Sequence, residues 1–199
     1  MDLKDFDVVV INLDTRPDRL VEVRKEMKSI GFENFIRFPG FKGGDRGSVL
    51  SHLHCINGRG NRFIFEDDVY FEPEIITTLS AAIKELPDDF DMLYLGANVK
   101  TPQERYSEHL FTIKGGTHTN HAILFSDHAR QLIPTLYDPD KNPITHIFDH
   151  WLFMEGQKIM KCFCVYPMVA FQRGGYSDVR LQWFDYREEM LANQMNNMK

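Results

Sequence analysis

The run DVVVINL, Asp7 to Leu13, most constrains the fold of this chain, because it is short, continuously apolar and rich in β-branched residues. Those features mark a strand covered on both faces, as in a parallel sheet. It leads into DTRPDRLVEVRKEMKSIG, where Asp14 or Thr15 can cap and Pro17 sits near the first helical turn. Leu20, Val23 and Met27 then recur at helical spacing, and Gly31 closes the element. The result is a strand, a loop and a helix in sequence.

The same alternation continues along the chain. A brief strand is expected at about residues 35–38, then the glycine-rich loop PGFKGGDRG, then a short helix in SVLSHLHCIN capped by Ser48. RFIFE reads as a second buried strand, followed by a helix that starts at Pro73 and runs to about Leu86, and then by the strand DMLYLG. HLFTI and HAILFS read as late antiparallel hairpin strands around the turn-prone GGTHTN, and Ser126 caps a helix toward Leu136. An amphipathic helix is expected from about Ile147 to Gln157, KCFCVYP and VAFQ finish the sheet, and the tail from about residue 181 to 199 is expected to be helical with a frayed end. The pattern predicts one α/β domain over residues 1–199, with a mostly parallel central sheet flanked by helices.

At 199 residues and 43% hydrophobic, the chain is long enough for one substantial core. A formal net charge of -6 argues against a protein that binds nucleic acid by neutralising phosphates. No run reaches the roughly 18 apolar residues that span a bilayer, and the first residues do not read as a signal peptide. A cytoplasmic protein is therefore expected, with room for peripheral membrane contact and no indication of oligomeric state. Cys55, Cys162 and Cys164 read as reduced core thiols, with a metal pair as the alternative for the last two.

The chemistry is concentrated in FIFEDDVYF, Phe63 to Phe71, where Glu66, Asp67 and Asp68 follow one another between bulky apolar residues. Unpaired carboxylates out of water cost roughly several kcal/mol each, so the group needs water, a cation or a protonated neighbour. Ligands of open α/β sheets bind beyond the carboxyl ends of strands, which is where these residues and the segment Asn12 to Arg19 fall. A hard divalent cation, Mn²⁺ or Mg²⁺, relieves the repulsion and stays open to phosphate oxygens, while nearby arginines pair with the remaining charge of a nucleoside diphosphate. A solvated acidic turn is the plainer alternative.

Taken in order, VVINLDTRPDRL, GSVLSHLHCI, FIFEDDV, DMLYLG, HAILFSDHA and YPMVAFQRGGYSD resemble the family 25 glycosyltransferases, which include lipooligosaccharide and collagen galactosyltransferases. The resemblance runs from Val8 to about Asp178. It implies a GT-A-like, Rossmann-like fold, a UDP-sugar donor carrying galactose or glucose, a Mn²⁺ or Mg²⁺ ion, and inverting transfer to a hydroxyl of a glycan acceptor. By the same resemblance, Asp68 and then Asp67 are the metal ligands, and Glu66 belongs to the same acidic motif. Asn12, Leu13, Arg16 and Arg19 match the nucleotide-binding opening motif, Ser51 and His52 the SH motif, and Gln172, Ser177 and Asp178 the late positions near donor or acceptor. Asp149, in THIFDHWLF, is the candidate general base that takes the acceptor proton; a helix N-terminal charge is its alternative role.

Other chemistries find less support. His118 with His121, and His146 with His150, have zinc-compatible spacing but no H-E-x-x-H frame. FKGGDRG is not a phosphate loop of the Walker type, no G-x-G-x-x-G follows the first strand, and Ser51 lacks a nucleophile elbow. Two rival readings stay open. One is a catalytically silent relative that binds glycan or nucleotide sugar, motivated by short segments on either side of SVLSH and by His121 where a small residue is expected. The other is a metal-dependent phosphoester hydrolase using Asp67 and Asp68.

Overall fold

The structure, a computed structural model, describes residues 6–141, 147–177 and 181–199. In chain order the strands and helices are β1 (Asp7–Asn12), α1 (Pro17–Ser29), β2 (Ile36–Pro39), α2 (Gly44–Ile56), β3 (Arg62–Glu66), β4 (Val69–Phe71), α3 (Ile75–Glu85), β5 (Met92–Tyr94), β6 (Asn98–Val99), β7 (Glu104–Arg105) and β8 (Leu110–Ile113). There follow β9 (Thr117–His118), β10 (Ala122–Phe125), α4 (Asp127–Leu136), α5 (Phe148–Trp151), α6 (Gln157–Ile159), β11 (Cys162–Val165), β12 (Ala170–Gln172), β13 (Gly175–Ser177), β14 (Gln182–Phe184) and α7 (Arg187–Asn197).

Eight strands form the central sheet in the order β2-β1-β3-β10-β5-β11-β8-β7. β1 pairs in parallel with β2 and β3, and β5 with β11, while β10 runs antiparallel between β3 and β5. β8 is likewise antiparallel to both β11 and β7, so six of the eight strands run in one direction with β10 and β8 reversed, and the mostly parallel sheet carries helices on both faces, as the alternation of runs predicts.

Residue alternation explains the layering. Along β1, Val8 and Val10 face the core that contains Val23 and Met27 of α1 and Leu79 and Ile83 of α3, whereas Val9 faces the core with Val49 and Ile56 of α2 and Ile133 of α4. β3 divides in the same way, Phe63 and Phe65 against Ile64. Each apolar strand residue is thus buried whichever face it occupies, which is why these strands read as continuous apolar runs. Cys162 and Cys164 share one face of β11 as buried free thiols, as expected.

Several local expectations are corrected. α2 begins at Gly44 with Gly43 as its N-cap, so Ser48 lies inside the helix. HLFTI and HAILFS do not pair with each other: β8 pairs with β11, and β10 is inserted into the centre of the sheet. Distant strands that match their buried faces outcompete the local turn. The segment from Phe148 to Ile159 is helical but passes through a π turn at Leu152–Gly156. In the tail, Gln182–Phe184 pairs with β13 before α7 begins, and Met198 is buried, so the end is packed and not frayed. Ser126 caps α4 as predicted, accepting from the Ala129 amide.

One close approach shapes the functional edge. The Val169 and Ala170 amides donate to the Leu95 carbonyl at 2.9 and 3.2 Å, and a Cβ on Gly96 would overlap the Ala170 carbonyl oxygen. Only glycine lets β12 cross the end of β5 here. β12 then pairs with β4, setting Gln172 opposite Val69, directly after the acidic turn.

Candidate active site

Parallel pairing of β1 with β3 places Ile11 beside Glu66, so both strands end at the same edge of the sheet. The loop after β1 and the acidic turn after β3 therefore meet. Because β10 is antiparallel to β3, its entering segment reaches that edge too, and the Glu66 amide donates to the His121 carbonyl at 2.9 Å.

These segments enclose a cleft of about 680 Å³ lined by Leu13, Arg19, Ser51, His52, Glu66, Asp67, Asp68, Asp149 and Gln172, among others. Nine sequence candidates thus share one cavity. Asn12 lies behind its wall, 1% exposed, and orients that wall. Its Nδ2 donates to Asp67 Oδ2 at 2.7 Å and to the Arg16 carbonyl at 2.9 Å, and its Oδ1 accepts from Arg37 Nε at 2.9 Å. Arg16 does not line the cleft, since its guanidinium turns to Asp18 at 2.8 Å. Ser177 lies in β13, and Asp178 and His146 lie outside the described residues.

The three carboxylates are held differently. Asp67 is buried and accepts on both oxygens, Oδ2 from Asn12 and Oδ1 from Arg19 Nη1 at 3.0 Å. Arg19 Nη1 also reaches Asp68 Oδ2 at 3.3 Å, but Asp68 Oδ1 is buried with no hydrogen-bond partner among the described residues. Burial, opposed by Arg19 and reinforced by Asp67, pushes the Asp68 carboxyl up to about 6. Glu66 is driven well above the usual carboxylate range, first by burial and then by the charges of Asp68, Asp67 and Asp149. One guanidinium does not balance this group.

His52 adds a second unsatisfied atom. Its Nδ1 lies 3.0 Å from the Ser48 carbonyl oxygen, which can only accept, so Nδ1 carries the proton. Burial holds the ring below its ordinary pKa against the opposing pull of the Ser48 and Asn120 backbone, and Nε2 lies 3.4 Å from Glu66 Oε1 with no good hydrogen bond among the described residues. A proton on Glu66 makes that approach favourable. Ser51 is structural by comparison: its hydroxyl donates to the Gly47 carbonyl and accepts from the Phe41 amide, fastening the loop before α2.

Asp149 stands across the cleft in the first turn of α5, its Oδ2 3.7 Å from His118 Nδ1. Burial works against its ionisation, yet the His118 ring and the backbone amides of His150 and Thr119 outweigh burial and hold its carboxyl below the usual range. It is therefore a carboxylate at neutral pH.

The zinc pairing of His118 with His121 does not form, because His121 is fully buried with Nε2 3.2 Å from the Ala170 carbonyl while His118 faces the cleft. Sequence reading missed Asn98, Lys100, Asn120, Tyr186 and Glu189, which also line the cavity. They come from short strands, the loops beside them and the tail, where no spacing or composition marks them; the glycine-rich loop, which contributes Lys42 to Asp45, does stand out in the sequence.

No protein-family model matches the chain, and no curated protein matches it. Among solved structures it is similar to a glycosyltransferase involved in the glycosylation of the major capsid of PBCV-1, at 8% identity and a TM-score of 0.51, covering 96% of this chain and 99% of that one. It is also similar to the mannose-1-phosphate geranyltransferase from Thermus thermophilus, at 10% identity and a TM-score of 0.50, covering 87% of this chain and 76% of that one. The likeness is one of fold. It identifies the layered α/β architecture, and the site rests on the geometry above.

Among the described residues, no helix is long and apolar enough to cross a membrane.

Proposed function

We propose that this protein is a glycosyltransferase that moves a hexose, galactose or glucose, from a UDP-sugar to a hydroxyl of a glycan acceptor with inversion, in the manner of the family 25 enzymes its motifs resemble. The observation that carries the reading is the under-compensated carboxylate group of Glu66, Asp67 and Asp68 at the strand-end cleft, facing Asp149. A volume of about 680 Å³ lies within the roughly 300–1,000 Å³ of small-molecule sites. The solved glycosyltransferase of similar fold and length supports the same reading.

The donor set fits a divalent cation. Asp68 Oδ1 is buried without a partner among the described residues, and Glu66 is the second oxygen donor, its ionisation disfavoured by burial and its acidic neighbours until a cation balances it, while Asp67 keeps both oxygens on Asn12 and Arg19. Held by Asp68 and Glu66, Mn²⁺ or Mg²⁺ would neutralise charge on the departing diphosphate. The chain's own residues do the rest. Asn12 and Arg19 fix the acidic turn, Arg19 supplies positive charge beside the diphosphate, and Asp149, kept ionised, accepts the proton of the incoming hydroxyl.

Calorimetric titration of UDP, with Mn²⁺ and then with chelator, tests the reading. Metal-dependent binding is expected in the natural protein and absent from folded Asp68→Ala. Binding that ignores both the metal and the substitution would remove Asp68 from the site. No binding at all by the folded natural protein would bring forward the silent-relative reading.

A further inference from the structure

We propose that the hairpin β13–β14 carries a second saccharide subsite, in which Trp183 and Asp185 hold a sugar residue of the acceptor beyond the one that reacts. This rests on the transferase reading and names where that acceptor lies.

Trp183 is 76% exposed and Tyr176 41% exposed, and the two are direct cross-strand partners. An exposed indole on a short hairpin is a cost to solubility unless something covers it. Beside it lies a cavity of about 320 Å³ lined by Gly174, Trp183, Phe184 and Asp185. The Asp185 carboxylate is oriented there, its Oδ1 accepting from the Arg187 amide at 3.0 Å. Gly174 makes room for it, since a Cβ at that position would meet Asp185 Oδ2 at 3.0 Å.

This combination suits a pyranose. The axial C–H face of a sugar is apolar and weakly positive and packs on the negative face of an aromatic ring, while ring hydroxyls donate to a carboxylate. A hairpin that entered a lipid surface would gain nothing from Asp185, and a chain of net charge -6 is repelled by anionic lipid.

Hydrogen bonds fasten the hairpin to the edge of the cleft. Arg19 Nη2, on the guanidinium that holds Asp67 and Asp68, donates to the Tyr176 carbonyl at 2.7 Å, and the Arg173 amide donates to the Asp68 carbonyl at 2.6 Å. Gln172 and Tyr186, which flank the hairpin, both line the main cleft, and the rings of Phe184 and Tyr186 stack at 5.1 Å. An oligosaccharide whose end lies near Asp149 has a path along these rings to Trp183.

The chain has two tryptophans, and Trp151 is 1% exposed, so acrylamide quenching of fluorescence reports on Trp183. Lactose and maltotriose at millimolar concentration are the probes. At least one is expected to shield Trp183 from acrylamide and to show saturation transfer by NMR. Trp183→Ala should weaken that binding about tenfold, the scale of one aromatic contact, with Trp183→Phe retaining most of it. UDP titration should be unchanged in both variants. Saturation transfer of undiminished strength and unchanged concentration dependence in Trp183→Ala overturns the subsite, as does shielding by phosphatidylglycerol vesicles alone or by neither sugar. Failure of the natural protein to bind UDP, with sugar shielding intact, overturns the transferase reading and leaves the saccharide surface standing.

Discussion

Asn12 Nδ2 donates to Asp67 Oδ2 at 2.7 Å, joining the end of β1 to the acidic turn across 55 positions of sequence. Buried at 1% exposure and held in turn by Arg37, this amide sets the direction in which the acidic turn presents its charges. Asn12→Ala leaves Asp67 Oδ2 and the Arg37 Nε without this partner. A loss of about 1–3 kcal/mol in urea unfolding is expected, together with weaker UDP binding by calorimetry. Unchanged UDP affinity would confine Asn12 to a structural part.

Asp149→Asn removes the proton acceptor and keeps the shape of the site. Donor binding should survive, while transfer falls by about 10²-fold or more. Product formation at the natural rate would dismiss Asp149 as the base.

His121 links stability to pH. Burial depresses its ring to about 4, against 6.5 for an ordinary histidine, so the folded protein keeps it neutral while the unfolded chain takes up a proton first. Its contribution is complete above pH 6.5 and is lost as pH falls toward 4, the loss amounting to about 2 kcal/mol at pH 5. His121→Gln, which keeps a donor for the Ala170 carbonyl, should flatten the fall in urea midpoint between about pH 7 and 5. Parallel profiles for the two proteins would show that another group carries the acid sensitivity.

Gly96→Ala forces β12 away from the end of β5. Destabilisation of roughly 1–3 kcal/mol is expected from overpacking, and Gln172, which follows directly in β12, should shift relative to Glu66. A denaturation midpoint equal to that of the natural protein would mean that the strand crossing has slack the structure does not show.

Much of this was legible because its cause is local. Val8 to Val10 and Phe63 to Phe65 announce strands buried on both faces, and the helical spacing of Val23 and Met27 fixes the inner face of α1. Glu66 to Asp68 stand out because charge in an apolar context is expensive. The partners of HLFTI and HAILFS were not legible, because pairing depends on which distant faces match, and periodicity within a strand does not name its partner. Lys100, Tyr186 and Glu189 left no mark for a similar reason: they reach the cleft through β6 and the tail, whose positions follow from packing on elements read much earlier.

The sequence by itself determined the alternation of elements, the two-sided burial of the central strands and the place of the carboxylates at a strand end, since each follows from solvation of neighbouring side chains. Tertiary structure alone decided how those carboxylates differ. Asp67 is satisfied by Asn12 and Arg19, Asp68 keeps a buried oxygen with no partner among the described residues, and Glu66 faces Nε2 of His52. Three adjacent acids in a chain look alike; the donors that distinguish them are brought by β1, α1 and α2, and hydrogen bonding acts only at contact distance.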